Sequence, residues 1–221
     1  FRVNNQVILL NGVNHHDYNP KEGRVITREL MEADIRLMKQ YNINAVRCSH
    51  YPANEYFYDL CDERGIVVWA EIPYISKHLE KGVENTRSQM KELVYQNYNH
   101  PSIVVWGLSN EITMGGATSP IVENHKMLND LVHSLDKTRL TTEAVLTACN
   151  INEEYVHISD VLSYNHYFGW YGGDVSMYGN WFDTFHKKYP NKAIGMSEYG
   201  CEALNWHTSH PEQGDYTEEY Q

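Results

Sequence analysis

The amino-acid sequence predicts an α/β fold, a parallel (β/α)8 TIM barrel of which this chain carries seven strands. Short apolar runs alternate with longer segments of helical periodicity, and this alternation is typical of parallel strands covered by helices. An open doubly wound sheet would share it, but no GxGxxG or GxxxxGK phosphate loop follows a strand. Polar residues instead follow most of the strands, as in a barrel, whereas an open sheet concentrates its site at one switch point. We therefore predict the barrel.

The strands are predicted from short apolar runs that end in polar or turn-forming residues. In chain order they are VILLNGVNHH, NAVRCSH, IVVWAEI, SIVVWGLSNE, LTTEAV, VLSYNHY and AIGMSEYG. Barrels of this type have about 250 residues, so we expect the eighth strand and its helix to lie beyond Gln221. The first and seventh strands would then have unpaired edges, and the chain would be a piece of a longer polypeptide.

The helices are predicted from apolar spacing and from residues that favour helix ends. Thr27 is the expected N-cap of the first helix, Gly65 ends the second, and the third spans roughly 85–98, before Pro101. The fourth begins at Ser119-Pro120, and the last is WFDTFHKKY. The predicted apolar face of the first helix comprises Leu30, Ala33, Leu37, Met38 and Tyr41, and that of the fourth comprises Ile121, Leu128, Leu131, Val132 and Leu135.

Polar residues at the strand ends are the candidate functional residues. They are His15, His16, Asp17, Arg47, His50, Glu71, Asn110, Glu111, Asn165, His166, Tyr167 and Glu198. A carboxylate at the end of an apolar strand is costly to desolvate, although a lone Glu111 could be favoured by a nearby helix N-terminus. Glu198 ends another strand at the same mouth, and two facing carboxyl groups suit glycoside cleavage, in which one is a proton donor and the other an anion.

Two other kinds of hydrolase site, a metal site and a Ser–His–Asp triad, fit the sequence less well. A metal-dependent barrel often places two ligands at i and i+2 on its first strand, whereas His15 and His16 are adjacent and point to opposite sides. His50 and His166 could still join His16 around an ion. A Ser–His–Asp site would require an elbow of the GxSxG type, which the chain lacks.

Composition restricts partners and location. The formal charge of −11 argues against nucleic acid or an anionic membrane surface as a partner. The chain contains no run of 18 apolar residues, so the sequence predicts no membrane-spanning helix. The first residues lack the features of a signal peptide. Four cysteines without zinc-like spacing indicate free thiols, which favours the cytoplasm over a secreted or periplasmic location. The sequence leaves homo-oligomerisation open.

Several segments resemble glycoside hydrolase family 2. NAVRCSHYP (Asn44–Pro52) and NHPSIVVWGLSNE (Asn99–Glu111) are similar to its two signature segments, and SEYG (Ser197–Gly200) resembles its nucleophile segment. LNGVNHHDYNP and MKQYNINAVRCSHYPANEYFYDLCDERG are most similar to the bacterial β-galactosidase branch. The resemblance covers the catalytic barrel, residues 1–221, and implies flanking β-sandwich domains outside this chain.

The resemblance implies a retaining exo-β-glycosidase, most similar to a β-galactosidase, that acts on β-linked glycosides or oligosaccharides. Glu111 would be the general acid/base and Glu198 the nucleophile, with carboxyl groups about 5–5.5 Å apart. The implied supporting residues are Asn110 at the sugar 2-hydroxyl, Tyr167 and Arg47 at the nucleophile, His16 and His50 at the sugar, and Asp17 and Trp206 in the wall of the site. The role of His166 is left open.

The sequence departs from two patterns within the family. Some β-galactosidases bind magnesium through a Glu and a His after the third strand, but AEIPYISKHLE keeps Glu71 without the downstream pair. We therefore expect no required cofactor, and neither Mg nor Na is supported. The basic Asn-x-Lys element of glucuronidases has no convincing match here. β-Glucuronidase and β-mannosidase remain the alternative activities, with a non-catalytic carbohydrate-binding barrel as the alternative of another class.

Overall fold

A computed structural model describes residues 1–221 and contains one parallel sheet of seven strands, ordered as they occur in the chain. A small antiparallel hairpin of β1 (Arg2–Val3) and β2 (Gln6–Val7) precedes them. The seven strands are β3 (Gly12–His15), β4 (Ala45–Cys48), β5 (Val67–Glu71), β6 (Ile103–Asn110), β7 (Leu140–Leu146), β8 (Val161–Asn165) and β9 (Ala193–Glu198). All neighbouring pairs in this sheet are parallel.

Five α-helices connect the strands. They are α1 (Arg28–Gln40), α2 (Glu55–Arg64), α3 (Val83–Asn97), α4 (Ser119–Leu135) and α5 (Met177–Lys188). Thr27 caps α1 by accepting a hydrogen bond from the Leu30 N–H, and Gly65 ends α2 with a φ of 64°, a left-handed conformation that glycine adopts without steric cost. Pro120 lies in the first turn of α4. These end signals confirm the predicted boundaries at Thr27, Gly65 and Ser119.

The apolar face predicted for α1 is partly wrong. Met31, Ile35 and Met38 are its buried residues, whereas Leu37 and Tyr41 are 53% and 73% exposed. The predicted set and the buried set both have helical spacing, and the face of α1 that packs against the sheet decides which set is buried. The face predicted for α4 is confirmed, because Ile121, Leu128 and Val132 are buried and Leu131 and Leu135 pack against the same core.

The first predicted strand is also too long. Residues 7–10 do not continue β3; Val7 belongs to the hairpin, and Leu9 and Leu10 are 78% and 41% exposed. Asn4 and Asn5 turn the hairpin with φ values of 49° and 65°, a conformation that asparagine tolerates better than most residues. An apolar run alone does not show where a buried strand begins.

The seven strands curve into an incomplete barrel, as predicted. β3 pairs only with β4 and β9 only with β8, so each has one unpaired edge. At the mouth, the Asn14 side chain of β3 donates to the Ser197 carbonyl of β9 at 3.0 Å. The edge strands therefore approach each other at the carboxyl end, where the candidate site lies.

Gly107 on β6 makes room for the side chains inside the barrel. A Cβ atom at this position would lie 2.4 Å from Trp69 Nε1 and 2.5 Å from the Cβ atom of Glu71. Both distances are far below van der Waals contact, so only glycine fits without displacing them. Trp69 in turn lies beneath Arg47, whose guanidinium carbon is 4.9 Å from the indole ring centroid.

Two further observations bear on the sequence predictions. All four cysteines are free thiols, with Cys48 and Cys61 buried and Cys149 and Cys201 partly buried. None of the helices combines the length and the apolar character that crossing a membrane requires.

Candidate active site

The site lies at the carboxyl end of the parallel strands. Arg47 extends from β4, Glu71 and Asn110 end β5 and β6, and Asn165 and Glu198 end β8 and β9. Parallel strands bring their carboxyl ends to the same rim, which is why residues so far apart in the chain meet.

Glu111 follows β6 directly and has an unusual backbone conformation. Its φ is 48°, in the left-handed region that residues other than glycine seldom occupy. Its N–H donates to the Ala144 carbonyl of β7 at 2.8 Å, which ties the turn to the neighbouring strand. Such strained positions persist where the surrounding structure holds them, and they concentrate at functional sites.

Arg47 is the centre of the hydrogen-bond network. Its side chain is 5% exposed, and it donates to Glu71 through Nε at 2.8 Å and Nη2 at 3.0 Å. Nη1 donates to Glu198 Oε1 at 2.7 Å, and Nη2 also donates to Asn110 Oδ1 at 2.8 Å. One cation thus pairs with two carboxylates, and the negative charge of both raises the pKa of Arg47 against the effect of burial.

Glu198 has donors on both carboxyl oxygens. Oε1 accepts from Arg47, and Oε2 accepts from the Tyr167 hydroxyl at 2.6 Å. Its side chain is 13% exposed. Each carboxyl oxygen of Glu198 thus accepts one hydrogen bond, and one of the two donors is cationic. Burial, followed by this hydrogen bond to Glu198, raises the pKa of Tyr167 far above its usual value, so Tyr167 remains a donor.

Glu111 lies in a different environment, partly buried and without a cationic hydrogen-bond partner. Desolvation raises the pKa of its carboxyl group, and the nearby charge of Glu198 raises it further. A hydrogen bond from Asn165 Nδ2 to Glu111 Oε1, at 3.0 Å, opposes that rise, as do the charges of His50 and Arg47. The two carboxyl groups at this mouth therefore have different hydrogen-bond partners, a cation and a phenol for Glu198 and an amide for Glu111.

The two histidines assigned to the sugar site lie together beside Glu198. His50 Nδ1 is 2.9 Å from Glu71 Oε1, and its Nε2 is 3.9 Å from Glu198 Oε1. The His16 ring meets the His50 ring edge-on, with centroids 5.3 Å apart. Burial lowers the pKa of His16, and the neighbouring His50 and Arg47 lower it further, which favours a neutral imidazole.

Three predicted or open residues lie outside this network. Asp17 contacts His15, 3.7 Å away on the side of α1, where His15 also pairs with Asp34 at 3.0 Å. Trp206 is 79% exposed and contacts none of these groups. His15 and His16 do point to opposite sides, as their adjacency in a strand predicts.

His166, whose role the sequence left open, is fully buried among aromatic side chains. Its ring stacks between Tyr164 and Phe168, with centroids 5.0 Å and 4.6 Å away, and its edge meets Trp181. Desolvation lowers its pKa to about 4, so the ring is neutral at physiological pH. It therefore acts as a packing residue that supports the end of β8.

Two residues of the network were given no role by the sequence argument: Asn165 was a candidate without a partner, and Ser197 was not a candidate. Asn165 Nδ2 contacts both Glu111 and Asn110, and the Ser197 hydroxyl donates to Asn165 Oδ1 at 2.6 Å. Asn165 was visible as a polar residue at the end of a strand, but nothing in the sequence indicated its partner. Ser197 precedes Glu198 by one residue, and its contact depends on how β8 and β9 pair.

The residues available for a metal ion do not fit one at this mouth. Glu71 is fully buried, and both of its oxygens are already bound to Arg47 and close to His50. The one histidine in AEIPYISKHLE, His78, has its Nδ1 atom 2.6 Å from the Tyr74 hydroxyl. Elsewhere Asp59, Asp62 and His100 lie close together, but hydrogen bonds with His100 and the Ser102 N–H occupy Asp62.

Two carboxyl groups at the rim of a parallel barrel suit glycoside cleavage. The sequence model described as "Glycosyl hydrolases family 2, TIM barrel domain" matches residues 1–221. The chain belongs to glycosyl hydrolase family 2 and forms its TIM-barrel domain, as the motifs predicted.

Relatives with different activity names match this chain. A β-glucuronidase of Bacteroides fragilis is 39% identical over 216 residues, which are 94% of this chain and 30% of that protein. A β-galactosidase of Lactococcus lactis is 36% identical over 147 residues, which are 62% of this chain and 14% of that protein.

A solved structure supports the fold. The crystal structure of an FMN-binding β-glucuronidase from Facaelibacterium prausnitzii L2-6 superposes with a TM-score of 0.93 at 44% identity, over 99% of this chain and 34% of that one. The chain thus spans about a third or less of these relatives' lengths.

Proposed function

We propose that the complete polypeptide containing this chain is a retaining exo-β-glycosidase, with residues 1–221 as most of its catalytic barrel and β-sandwich domains outside them. One observation carries the proposal: Glu111 and Glu198 share a mouth but lie in opposite electrostatic environments. Arg47 and Tyr167 donate hydrogen bonds to the two carboxyl oxygens of Glu198, whereas desolvation raises the pKa of Glu111, which has no cationic hydrogen-bond partner. Retaining glycosidases require this division of roles.

The reaction follows from these two states. In the first step a Glu198 oxygen attacks the anomeric carbon, while Glu111 transfers its proton to the departing glycosidic oxygen. The bond to the leaving group breaks, and a covalent glycosyl-enzyme forms. In the second step Glu111, now a carboxylate, removes a proton from water, which attacks the same carbon and releases Glu198. Configuration is retained because the anomeric carbon is substituted twice.

The neighbours of the two glutamates have supporting roles in this proposal. Asn110 Oδ1 accepts from both Arg47 and Asn165, so its Nδ2 is left to donate to the sugar 2-hydroxyl. Tyr167 and Arg47 hold Glu198 in place and offset its charge. His16 and His50 would contact the sugar beside Glu198, while Asp17 and Trp206 would form outer parts of the wall.

Two sugars are supported by different observations. A β-glucuronide is supported by relatives of that name, one of which aligns with 94% of the chain. A β-galactoside is supported by LNGVNHHDYNP and MKQYNINAVRCSHYPANEYFYDLCDERG, which are most similar to the bacterial β-galactosidase branch. The donors of Arg47 are directed at Glu71, Glu198 and Asn110, so Arg47 has none to spare for a substrate carboxylate. Recognition of a glucuronide would therefore need a cation other than Arg47.

Trapping of the covalent intermediate tests the mechanism. The complete polypeptide is incubated with 2-deoxy-2-fluoro β-galactosyl and β-glucuronyl fluorides, and the labelled peptide is identified by mass spectrometry. We expect the adduct on Glu198, formed with one sugar much faster than with the other, which would also identify the substrate. An adduct on a different residue, or no adduct with any of the family's sugars, would contradict the proposal.

Replacement of the acid tests the role of Glu111. Glu111→Gln removes the transferable proton, so hydrolysis of glycosides with poor leaving groups should slow by about 10²–10⁴-fold. Substrates with good leaving groups, such as dinitrophenyl glycosides, need little protonation and should form the intermediate almost normally. Equal losses for all leaving groups would show that Glu111 is not the acid.

A further inference from the structure

Asn165 lies between the two halves of the site and is 1% exposed. It ends β8, and its amide nitrogen is 3.0 Å from Glu111 Oε1 and 3.2 Å from Asn110 Oδ1. An amide group has two N–H donors, and here each has one acceptor. Asn165 therefore contacts both residues that the proposed mechanism places on the leaving-group and 2-hydroxyl sides of the sugar.

Ser197 and Asn110 together favour one orientation of the Asn165 amide. The hydroxyl of Ser197 donates to Asn165 Oδ1 at 2.6 Å, and the Asn14 side chain holds the Ser197 carbonyl. If the amide were turned over, its oxygen would face Asn110 Oδ1, which already accepts from Arg47 and cannot donate to it. The contacts thus favour one orientation, in which N–H groups face Glu111.

We propose that Asn165 is a positioning residue for the acid/base Glu111, and that Ser197 holds Asn165 in its working orientation. The inference rests on the proposed glycosidase function. Because Asn165 donates to Oε1 of Glu111, the other oxygen of Glu111, Oε2, is free to carry the proton to the leaving group. Asn165 does not touch the reacting atoms; it limits rotation of the Glu111 carboxyl, and such positioning of a catalytic group lowers the barrier.

The same contact should affect the titration of Glu111. A hydrogen bond to a carboxylate stabilises the ionised form, so loss of Asn165 should raise the pKa of Glu111 above its already raised value. The other groups that face Glu111 are Glu198, His50, Arg47, Tyr167 and Tyr171. These are unchanged in an Asn165 variant, so a shift would report the lost hydrogen bond.

The experiment measures kcat/KM against pH for the complete polypeptide, with one poor and one good leaving group on the preferred sugar. In a retaining enzyme kcat/KM falls at high pH as the general acid loses its proton, and this fall is the basic limb of the pH profile. For Asn165→Ala we expect this limb to move up by about one pH unit, as the loss of a hydrogen bond to a charged group predicts. We also expect a loss of about 10- to 100-fold for the poor leaving group and a smaller loss for the good one.

Two further variants separate positioning from folding. Ser197→Ala leaves Asn165 in place but releases its orientation, so the basic limb should move in the same direction by less. Ser163→Ala, the matched control, removes another buried hydroxyl from this sheet, 3.3 Å from the Thr142 hydroxyl, and should leave the limb unchanged. If Asn165→Ala does not fold, Ser197→Ala decides the question.

An unchanged basic limb in the folded variants, or equal losses for both leaving groups, would overturn the role of Asn165. A shift of the same size in Ser163→Ala would also overturn it, because the effect would then be a general response to loss of a buried hydroxyl. Absence of any glycosidase turnover in the unmodified polypeptide would instead refute the proposed function.

Discussion

Glu143 should make the stability of this barrel depend strongly on pH. It lies in the middle of β7, is fully buried, and has no hydrogen-bond partner on either carboxyl oxygen. Desolvation raises its pKa from 4.5 to about 8, and the nearby Ser159 hydroxyl and the positive charge of Lys192 offset this only in part. The native protein therefore binds a proton at Glu143 that the unfolded chain releases at much lower pH.

The magnitude follows from the difference between the two pKa values. Below about pH 4 the carboxyl is neutral in both states, and stability does not change with its titration. Between about pH 4.5 and pH 8 the unfolded state is ionised while the native state is not, so stability falls as pH rises. At about 1.36 kcal/mol per pH unit the total loss is about 5 kcal/mol, of which more than half has occurred by pH 7.

Glu143→Gln tests this, because glutamine has nearly the same shape and cannot ionise. Urea unfolding of both proteins is measured at pH 5, 7 and 9. The variant should gain stability relative to the unmodified protein as pH rises, by about 4 kcal/mol between pH 5 and pH 9. A difference between the two proteins that stays constant over this range would refute the reasoning, and would mean that a donor reaches Glu143 and stabilises its charge.

Three other substitutions test the contacts of the site. Tyr167→Phe removes a donor from Glu198 and should lower kcat/KM by about 10- to 100-fold; activity close to the unmodified level would mean that Arg47 alone supports the anion. Arg47→Lys cannot reproduce the forked contacts, so a loss at least as large is expected in the same assay, and full activity would contradict the assigned geometry. Gly107→Ala forces a Cβ against Trp69 and should cost about 1–3 kcal/mol by thermal unfolding; an unchanged melting temperature would show that the interior adapts.

The elements predicted from local pattern agree with the structure where local physics decides. Thr27, Gly65 and Pro120 mark helix ends because capping geometry involves only a few neighbouring residues. The face of α1 was partly mispredicted because Leu37 and Met38 both have helical spacing, and only contact with the sheet distinguishes them. The start of β3 was placed too early because an apolar run predicts burial, whereas Val7, Leu9 and Leu10 are exposed.

In the candidate site, too, some features follow from local sequence and others depend on tertiary contacts. Glu111 and Glu198 could be predicted because each follows an apolar strand, and parallel strands must bring such residues to one rim. Asn165 and Ser197 could not be assigned as partners, since their 2.6 Å contact depends on the register of β8 and β9. The burial of His166 among three aromatic rings depends on how α5 packs against β8, which no local spacing encodes.

The sequence by itself determined the barrel, the order of its strands, the two glutamates and the family, because these depend on local periodicity and on motifs of adjacent residues. Only the tertiary structure decided the environment of each acid. The pairing of Arg47 with both Glu71 and Glu198, and its absence from Glu111, arises from side chains on different strands. Protonation is decided by burial and by charges a few ångströms away, and these distances exist only after the strands have assembled.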